Sequence, residues 1–215
     1  GAGGVELCLS ISHRLGSSDL GGLNPAGIEI HQCAASPGLL PDYAAGVKKR
    51  VSRELHEAGI VLHDDFTAID YERGLLRSQE GEQIEVEKVF WVTNAAALSW
   101  LTDTGVALDE HGYVAVSASL QSLSHPHIFA AGDTAAVIDH PRPKAGVYAV
   151  RQGEPLFNNL VHYIHGRRTR AFRPQGSFLS LISTGGRSAV AAKWWFAAQG
   201  RICWIWKDWI DRRFV

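Results

Sequence analysis

The sequence opens with GAGGVEL (residues 1–7), a glycine cluster followed by Val5 and Glu6. Glycines at the start of a helix let the backbone approach a pyrophosphate, which the free N–H groups and the positive end of the helix dipole bind. In the pattern GxGxxG followed by Val-Glu, Gly4 is the last glycine and Gly1 the second. We therefore expect the first glycine and its strand to precede residue 1, and the chain to be a fragment cut inside the motif.

The segments that follow predict an α/β dinucleotide-binding domain over residues 1–106. Apolar spacing indicates helix, strand, helix and strand in turn, at residues 3–15, 28–33, 44–58 and 60–65. Residues 68–93 are typical of a small β-meander with a turn at Arg73-Gly74. Its last part, KVFWVT (88–93), is apolar on both sides, as a buried parallel strand should be.

From residue 105 the pattern changes to short strands and two longer helices. A hairpin is predicted around His111-Gly112, and a short strand, Ile128–Ala131, ends in Gly132-Asp133. The remaining predictions are a helix, a strand pair and an aromatic helix, at residues 144–165, 177–183 with 188–195, and 203–214.

Composition excludes several classes of function. A net charge of −1 provides no overall basic field for nucleic acid, and we interpret the basic stretch RRTRAFR (167–173) as a solvated linker. The three cysteines show no CxxC pattern, and no signal peptide appears, which indicates a reducing, cytoplasmic location. No apolar run approaches the length of a membrane span.

Two further stretches indicate a second ligand site. In FAAGDTA (129–135), Asp133 follows a strand and can accept a hydrogen bond from a ribose or ribityl hydroxyl; the alternative is a type I turn whose Asp caps the next helix. In PRPKAGVYAVRQG (141–153), a helix start offers free amides to an electron-rich acceptor; the alternative is a plain amphipathic helix.

Taken together and in this order, these motifs resemble the two-dinucleotide-binding flavoproteins of the pyridine nucleotide-disulfide oxidoreductase superfamily. VFWVTNAAA (89–97) is similar to the end of the family's NAD(P)H domain, with Asn94 where glycine is expected. The chain also resembles the type II NADH dehydrogenase-like branch. More narrowly, KAGVYAVRQG, FLSLISTGGRSAVA and WKDWIDRRF resemble the flavoprotein that stands beside, or fused to, selenide, water dikinase.

The resemblance implies FAD and NAD(P)H as cofactors, with hydride passing from nicotinamide to flavin and on to a small-molecule acceptor, a quinone or a selenium compound. It places Glu6 near the nicotinamide as the catalytic candidate. The implied NAD(P)-binding residues are Gly1, Gly3, Gly4, Glu6, Thr93 and Asn94. The implied FAD-binding residues are Gly132, Asp133, Lys144, Ala145, Gly146 and Gln152. Residues 31–35 (HQCAA) hold neither an acid nor an arginine, so the choice between NAD and NADP stays open.

The resemblance also implies a division into three parts. Residues 1–106 form the NAD(P)H domain without its first strand, residues 107–165 the second piece of a split FAD domain, and residues 166–215 a small α+β interface domain. Because the first FAD piece is missing, we expect the fragment alone to lose FAD and to be inactive.

Alternatives remain at the level of sequence. The chain can instead be a non-catalytic module that binds a nucleotide or docks on a selenide, water dikinase domain. The aromatic C-terminal region suits a core and homodimer interface better than a membrane surface, because Asp208 and Asp211 interrupt its helix. His162 and His165 have metal-ligand spacing, but the other histidines are scattered, so we expect no metal site.

Overall fold

The computed structural model describes residues 1–17, 27–35, 38–93 and 95–213. These residues form two compact units: residues 1–93 with 179–215, and residues 94–178. The boundaries predicted at residues 106 and 165 divide the chain by its resemblance to the segments of a family, not by compactness. They stay a prediction.

The described residues contain four α-helices and ten strands in an α/β arrangement, as predicted. The helices are α1 (Ala2–Leu15), α2 (Ala45–Glu57), α3 (Gly146–Ile164) and α4 (Arg201–Asp211). The strands are β1 (His31–Cys33), β2 (Val61–His63), β3 (Ala68–Glu72), β4 (Leu75–Ser78), β5 (Gln83–Glu85), β6 (Val114–Val116), β7 (Ala135–Val137), β8 (Ser180–Ser183), β9 (Ala189–Lys193) and β10 (Phe196–Gly200).

The first unit contains the predicted Rossmann-like half. β1 and β2 pair in parallel, with His31 opposite Val61. α2 buries Val47, Val51 and Leu55 at a spacing of four, which places one apolar stripe in the core. Gly59 follows that helix with a φ of 68°, a left-handed conformation that glycine adopts without strain.

The β-meander is confirmed as three antiparallel strands in the order β3-β4-β5. Arg73 and Gly74 both have positive φ, at 53° and 84°, as a tight two-residue hairpin turn requires.

The prediction for residues 88–93 is wrong. The segment forms no strand in the structure, and Phe90 and Trp91 are 65% and 53% exposed. A buried parallel strand needs hydrogen-bonded neighbours, and in the described ranges the parallel sheet of this unit has only β1 and β2. Residues 88–93 pair with neither of these strands, so Phe90 and Trp91 stay exposed.

The C-terminal part of the first unit is a three-stranded antiparallel sheet with the order β10-β9-β8. The predicted pair of strands and the helix after it are confirmed, but β10 was not predicted. Its sequence, FAAQG, is rich in small residues and has little strand character. Ile182 of β8 and Val190 of β9 enter the same core as α1 and α2.

The second unit is built on the parallel pair β6 and β7, whose Val116 and Val137 pack with Leu101 and Leu120. The predicted strand Ile128–Ala131 is wrong: it makes one isolated bridge, between Gln121 and Phe129. A short 3-10 turn, Gly132–Thr134, breaks the extended chain, so the regular strand forms after the Gly-Asp pair. The predicted helix at 144–165 is confirmed as α3.

None of the described helices is both long and apolar enough to cross a membrane.

Candidate functional site

A cavity of about 710 Å³ in the second unit collects most of the predicted FAD-binding residues. Gly132, Asp133, Lys144, Ala145 and Gln152 all line it. The sixth, Gly146, is the first residue of α3, directly after Ala145. The volume lies in the range that small-molecule sites occupy.

A hydrogen bond holds Gly132 against the first turns of α3. Its N–H donates to Oε1 of the buried Gln152 at 2.6 Å. A Cβ on Gly132 would lie 3.3 Å from the Cβ of Ala149, and the residue has a φ of 67°. Both the space and the backbone conformation therefore require glycine at this position.

Lys144 places a positive charge on the wall of the same cavity. Its Nζ donates to the Ala135 carbonyl at 2.6 Å and lies 3.8 Å from the centre of the Tyr113 ring. Burial lowers the pKa of the Lys144 ammonium, and the carboxylates of Asp109 and Asp133 act in the opposite direction. The exposed Asp133 thus offers an acceptor carboxylate beside a fixed cation.

The start of α3 points to the same ligand chemistry. Ala145 precedes the helix, and no side chain caps it with a hydrogen bond. The first N–H groups of a helix have no partner within the helix, so this end of α3 can donate to an electron-rich group in the cavity.

The glycine motif is confirmed as the start of a helix. Gly4 is buried against β1: a Cβ there would lie 3.3 Å from Nε2 of Gln32, whose Oε1 accepts from the Cys8 thiol at 3.0 Å. This is the place of the third glycine in a dinucleotide motif, which lets helix and strand pack closely. A Cβ at Gly3 would lie 3.7 Å from Val92, an ordinary van der Waals distance.

Glu6 is held by the C-terminal part of its own unit. Its Oε1 accepts the Ser183 N–H at 2.7 Å and lies 3.2 Å from Nζ of Lys207. Lys207 also reaches Asp211, at 3.3 Å. The predicted role of Glu6 near the nicotinamide stays a prediction, and the structure adds a packing role that the sequence did not indicate.

The remaining NAD(P) candidates give less information. Thr93 is exposed, and Asn94 lies outside the described residues.

Sequence reasoning missed a histidine pair on β1 and β2. Nδ1 of His31 lies 2.9 Å from Nε2 of His63, and the rings stack with centres 5.1 Å apart. Burial is the largest cause that lowers the pKa of His63, followed by the neighbouring His31. The parallel register of the two predicted strands was the only signal that could have brought these residues together.

Comparison with known proteins places this geometry in a family. The family model described as pyridine nucleotide-disulphide oxidoreductase matches residues 1–153. The chain belongs to this family. Both the glycine start of α1 and the cavity residues 132–152 lie inside the matched part of the chain.

Relatives agree with this assignment. The chain is 27% identical, over 84% of its length, to a type II NADH:quinone oxidoreductase from Haemophilus influenzae, and it spans 43% of that protein. The chain therefore covers less than half of this curated relative.

Solved structures share the fold. NDH2 from Plasmodium falciparum in complex with NADH matches all of this chain with a TM-score of 0.77, at 14% identity and over 61% of its own length. Sulfide:quinone oxidoreductase from Aquifex aeolicus matches 97% of the chain with a TM-score of 0.69, at 15% identity and over 53% of its own length.

Proposed function

We propose that this chain is part of a flavin-dependent NAD(P)H oxidoreductase whose flavin ring lies in the 710 Å³ cavity of the second unit. The observation that carries the proposal is that five predicted FAD residues, separated by up to twenty positions along the chain, line one cavity.

The residues present fit an FAD molecule. Gly132 lines the cavity without a side chain, and a Cβ there would lie 3.3 Å from the Cβ of Ala149, another lining residue. Asp133 would accept from a ribityl hydroxyl, while Lys144 and the start of α3 would donate to the electron-rich edge of the ring. Gln152 would act by holding the Gly132 turn. When bound, the flavin supplies the chemistry of hydride acceptance and electron transfer.

The NAD(P)H pyrophosphate would bind at the glycine start of α1. Gly1, Gly3 and Gly4 bring the first helical N–H groups to the surface, and these groups favour an anion. Gly4 also keeps α1 close to β1, which fixes the direction of the helix.

A quinone is the acceptor that the relatives favour, because a 27% identical protein carries the name NADH:quinone oxidoreductase. A selenium compound is the acceptor that the likeness to the dikinase-associated flavoprotein favours. The aromatic residues Trp194, Trp195, Trp206 and Trp209 are exposed and would form a homodimer surface or a dikinase-docking surface.

FAD titration tests the proposal. We expect the purified chain to be colourless and to bind added FAD saturably, with quenching of flavin fluorescence. Gly132→Ala should weaken FAD binding at least about tenfold, since the added Cβ meets Ala149 at a positive φ. Gly153→Ala is the matched control, because that helical glycine has nothing within 4 Å of its Cβ position.

The same titration distinguishes a flavoprotein from the alternative, a module that binds only a nucleotide. Binding of NADH without any saturable FAD binding would overturn the flavin site and leave a nucleotide-binding module. Equal FAD affinity in the Gly132→Ala and Gly153→Ala variants would show that FAD does not use this cavity.

A further inference from the structure

A second cavity, of about 450 Å³, lies on a different face of α3 from the first. Its helical wall carries Arg151, Glu154 and Pro155, and its other wall is the segment 172–175. Because residues three and four positions apart share one face of a helix, Arg151, Glu154 and Pro155 lie on one face of α3. Ala149 and Gln152, which line the first cavity, lie on another. Everything that lines the second cavity belongs to the second unit.

Two guanidinium groups line this cavity without a carboxylate partner. Among the ion pairs found in the described residues, neither Arg151 nor Arg173 takes part. Glu154 is the only carboxylate in the described lining, so the charge of the cavity is positive. Arginine binds carboxylate and phosphate with paired N–H groups, and such charged hydrogen bonds are stronger than neutral ones.

Gln175 adds a donor that lacks a partner. Its Nε2 is buried and makes no hydrogen bond to any described residue. A buried polar group without a partner costs free energy, which an acceptor oxygen can recover. Gln175 is one of the residues that line this cavity, so an acceptor oxygen bound there is the partner we assign to its amide.

The wall that carries Arg173 and Gln175 is fixed in place. The Phe172 N–H donates to the Ala118 carbonyl at 2.7 Å, and the Gln175 carbonyl accepts from Nε of Arg142 at 3.1 Å. The backbone of this wall is therefore ordered before a ligand binds, so Arg173 and Gln175 project from fixed positions.

We propose that this cavity binds a small ligand that carries an oxyanion, a phosphate or a carboxylate, which Arg151, Arg173 and the Gln175 amide hold. Phe172 and Pro155 provide an apolar surface for the rest of the ligand. Arg173 ends the basic stretch 167–173, which the sequence suggests is only a linker, so this residue gains a specific role.

Amide NMR shifts of the chain test the site during titration with sodium phosphate and, separately, with sodium malonate. Sodium chloride keeps the ionic strength constant, and no FAD or NADH is added. We expect saturable shifts at the non-proline residues of 151–158 and 172–175, with a dissociation constant on the order of millimolar. Phosphate bound at the glycine start of α1 would shift other amides, so the two sites are distinguishable. Saturation by phosphate alone, malonate alone or both identifies the anion.

Variants test whether the anion binds in this cavity rather than elsewhere on the basic surface. Arg151→Gln and Arg173→Gln should each weaken binding about tenfold, and Gln175→Leu about threefold. Arg168→Gln is the control, because Arg168 is exposed in the same basic stretch but does not line the cavity. An equal loss in the Arg168→Gln variant, or shifts that never saturate, would overturn the proposal. Arg173→Lys, which keeps the charge, separates a folding defect from a lost site. The result is independent of FAD binding at the first cavity.

Discussion

Glu6 in α1 and Lys207 in α4 form an ion pair at 3.2 Å, and the same Glu6 oxygen accepts the Ser183 N–H at 2.7 Å. This contact joins the helix that would bind the nucleotide to the sheet and helix at the other end of the chain. Residues 1–93 and 179–215 form one compact unit for this reason and because Ile182 and Val190 share a core with α1.

Replacing Lys207 by methionine should destabilise the protein by about 1 kcal/mol, since the pair is partly buried and Glu6 keeps only the Ser183 N–H. Urea denaturation measures this loss. Arg212→Met is the matched control, because Arg212 pairs with Asp208 on the exposed side of the same helix. An equal effect in both variants would mean that the partly buried Glu6 pair stabilises the protein no more than an exposed ion pair does.

Gly185→Ala should destabilise the protein more than Gly81→Ala. Both glycines have positive φ, at 77° and 89°, so each substitution brings the same kind of backbone strain. At Gly185, however, the new Cβ would lie 2.8 Å from the Cβ of His13 and 3.1 Å from the Leu9 carbonyl, whereas at Gly81 it meets nothing within 4 Å. We expect a loss of about 1 kcal/mol for Gly81→Ala and at least about 2 kcal/mol for Gly185→Ala. Free energies of unfolding from urea titrations provide the comparison. A smaller loss at Gly185 would show that α1 can shift away from the turn.

The sequence predicted this fold where the signals are local. α2 and α3 follow from apolar spacing, and the hairpin turn at Arg73-Gly74 follows from turn chemistry. The errors at 88–93 and 128–131 concern segments whose state depends on distant neighbours. KVFWVT has strand character but no sheet partner in the described ranges, and Gly132 ends one extended segment before β7 begins.

The candidate site was likewise predictable only in part from the sequence. Short motifs predicted Gly132, Asp133 and Lys144, and the structure places these three residues around one cavity; their role with a flavin stays a prediction. The partners of Glu6 and His31 lie far away along the chain, at Lys207 and His63, and no pattern in one sequence indicates these pairs.

Gln152→Leu should release the Gly132 turn. The Gly132 N–H would lose its acceptor inside the protein, which should cost about 1–3 kcal/mol of stability. FAD affinity should fall in parallel, because the turn lines the cavity. Gln152→Glu retains an acceptor oxygen and should keep more of both properties. Urea unfolding and FAD titration of the two variants test whether Gln152→Leu loses more stability and more FAD affinity than Gln152→Glu. Unchanged FAD affinity in Gln152→Leu would show that the Gly132 turn does not contribute to FAD binding.

The His31–His63 pair should make the first unit less stable in acid. The pKa of His63 is lowered in the folded protein, mainly by burial and then by His31, against the opposing carboxylates of Glu82 and Glu29. The unfolded chain therefore binds a proton before the folded chain does, so this contribution to stability is complete above about pH 6.5 and falls as pH decreases through the folded pKa. Free energies of unfolding between pH 8 and pH 5 should drop more steeply for the native chain than for His63→Phe, which retains a ring to stack on His31. His111→Phe, at an exposed position, should leave the native slope unchanged. Parallel pH profiles for the native chain and His63→Phe would contradict this linkage.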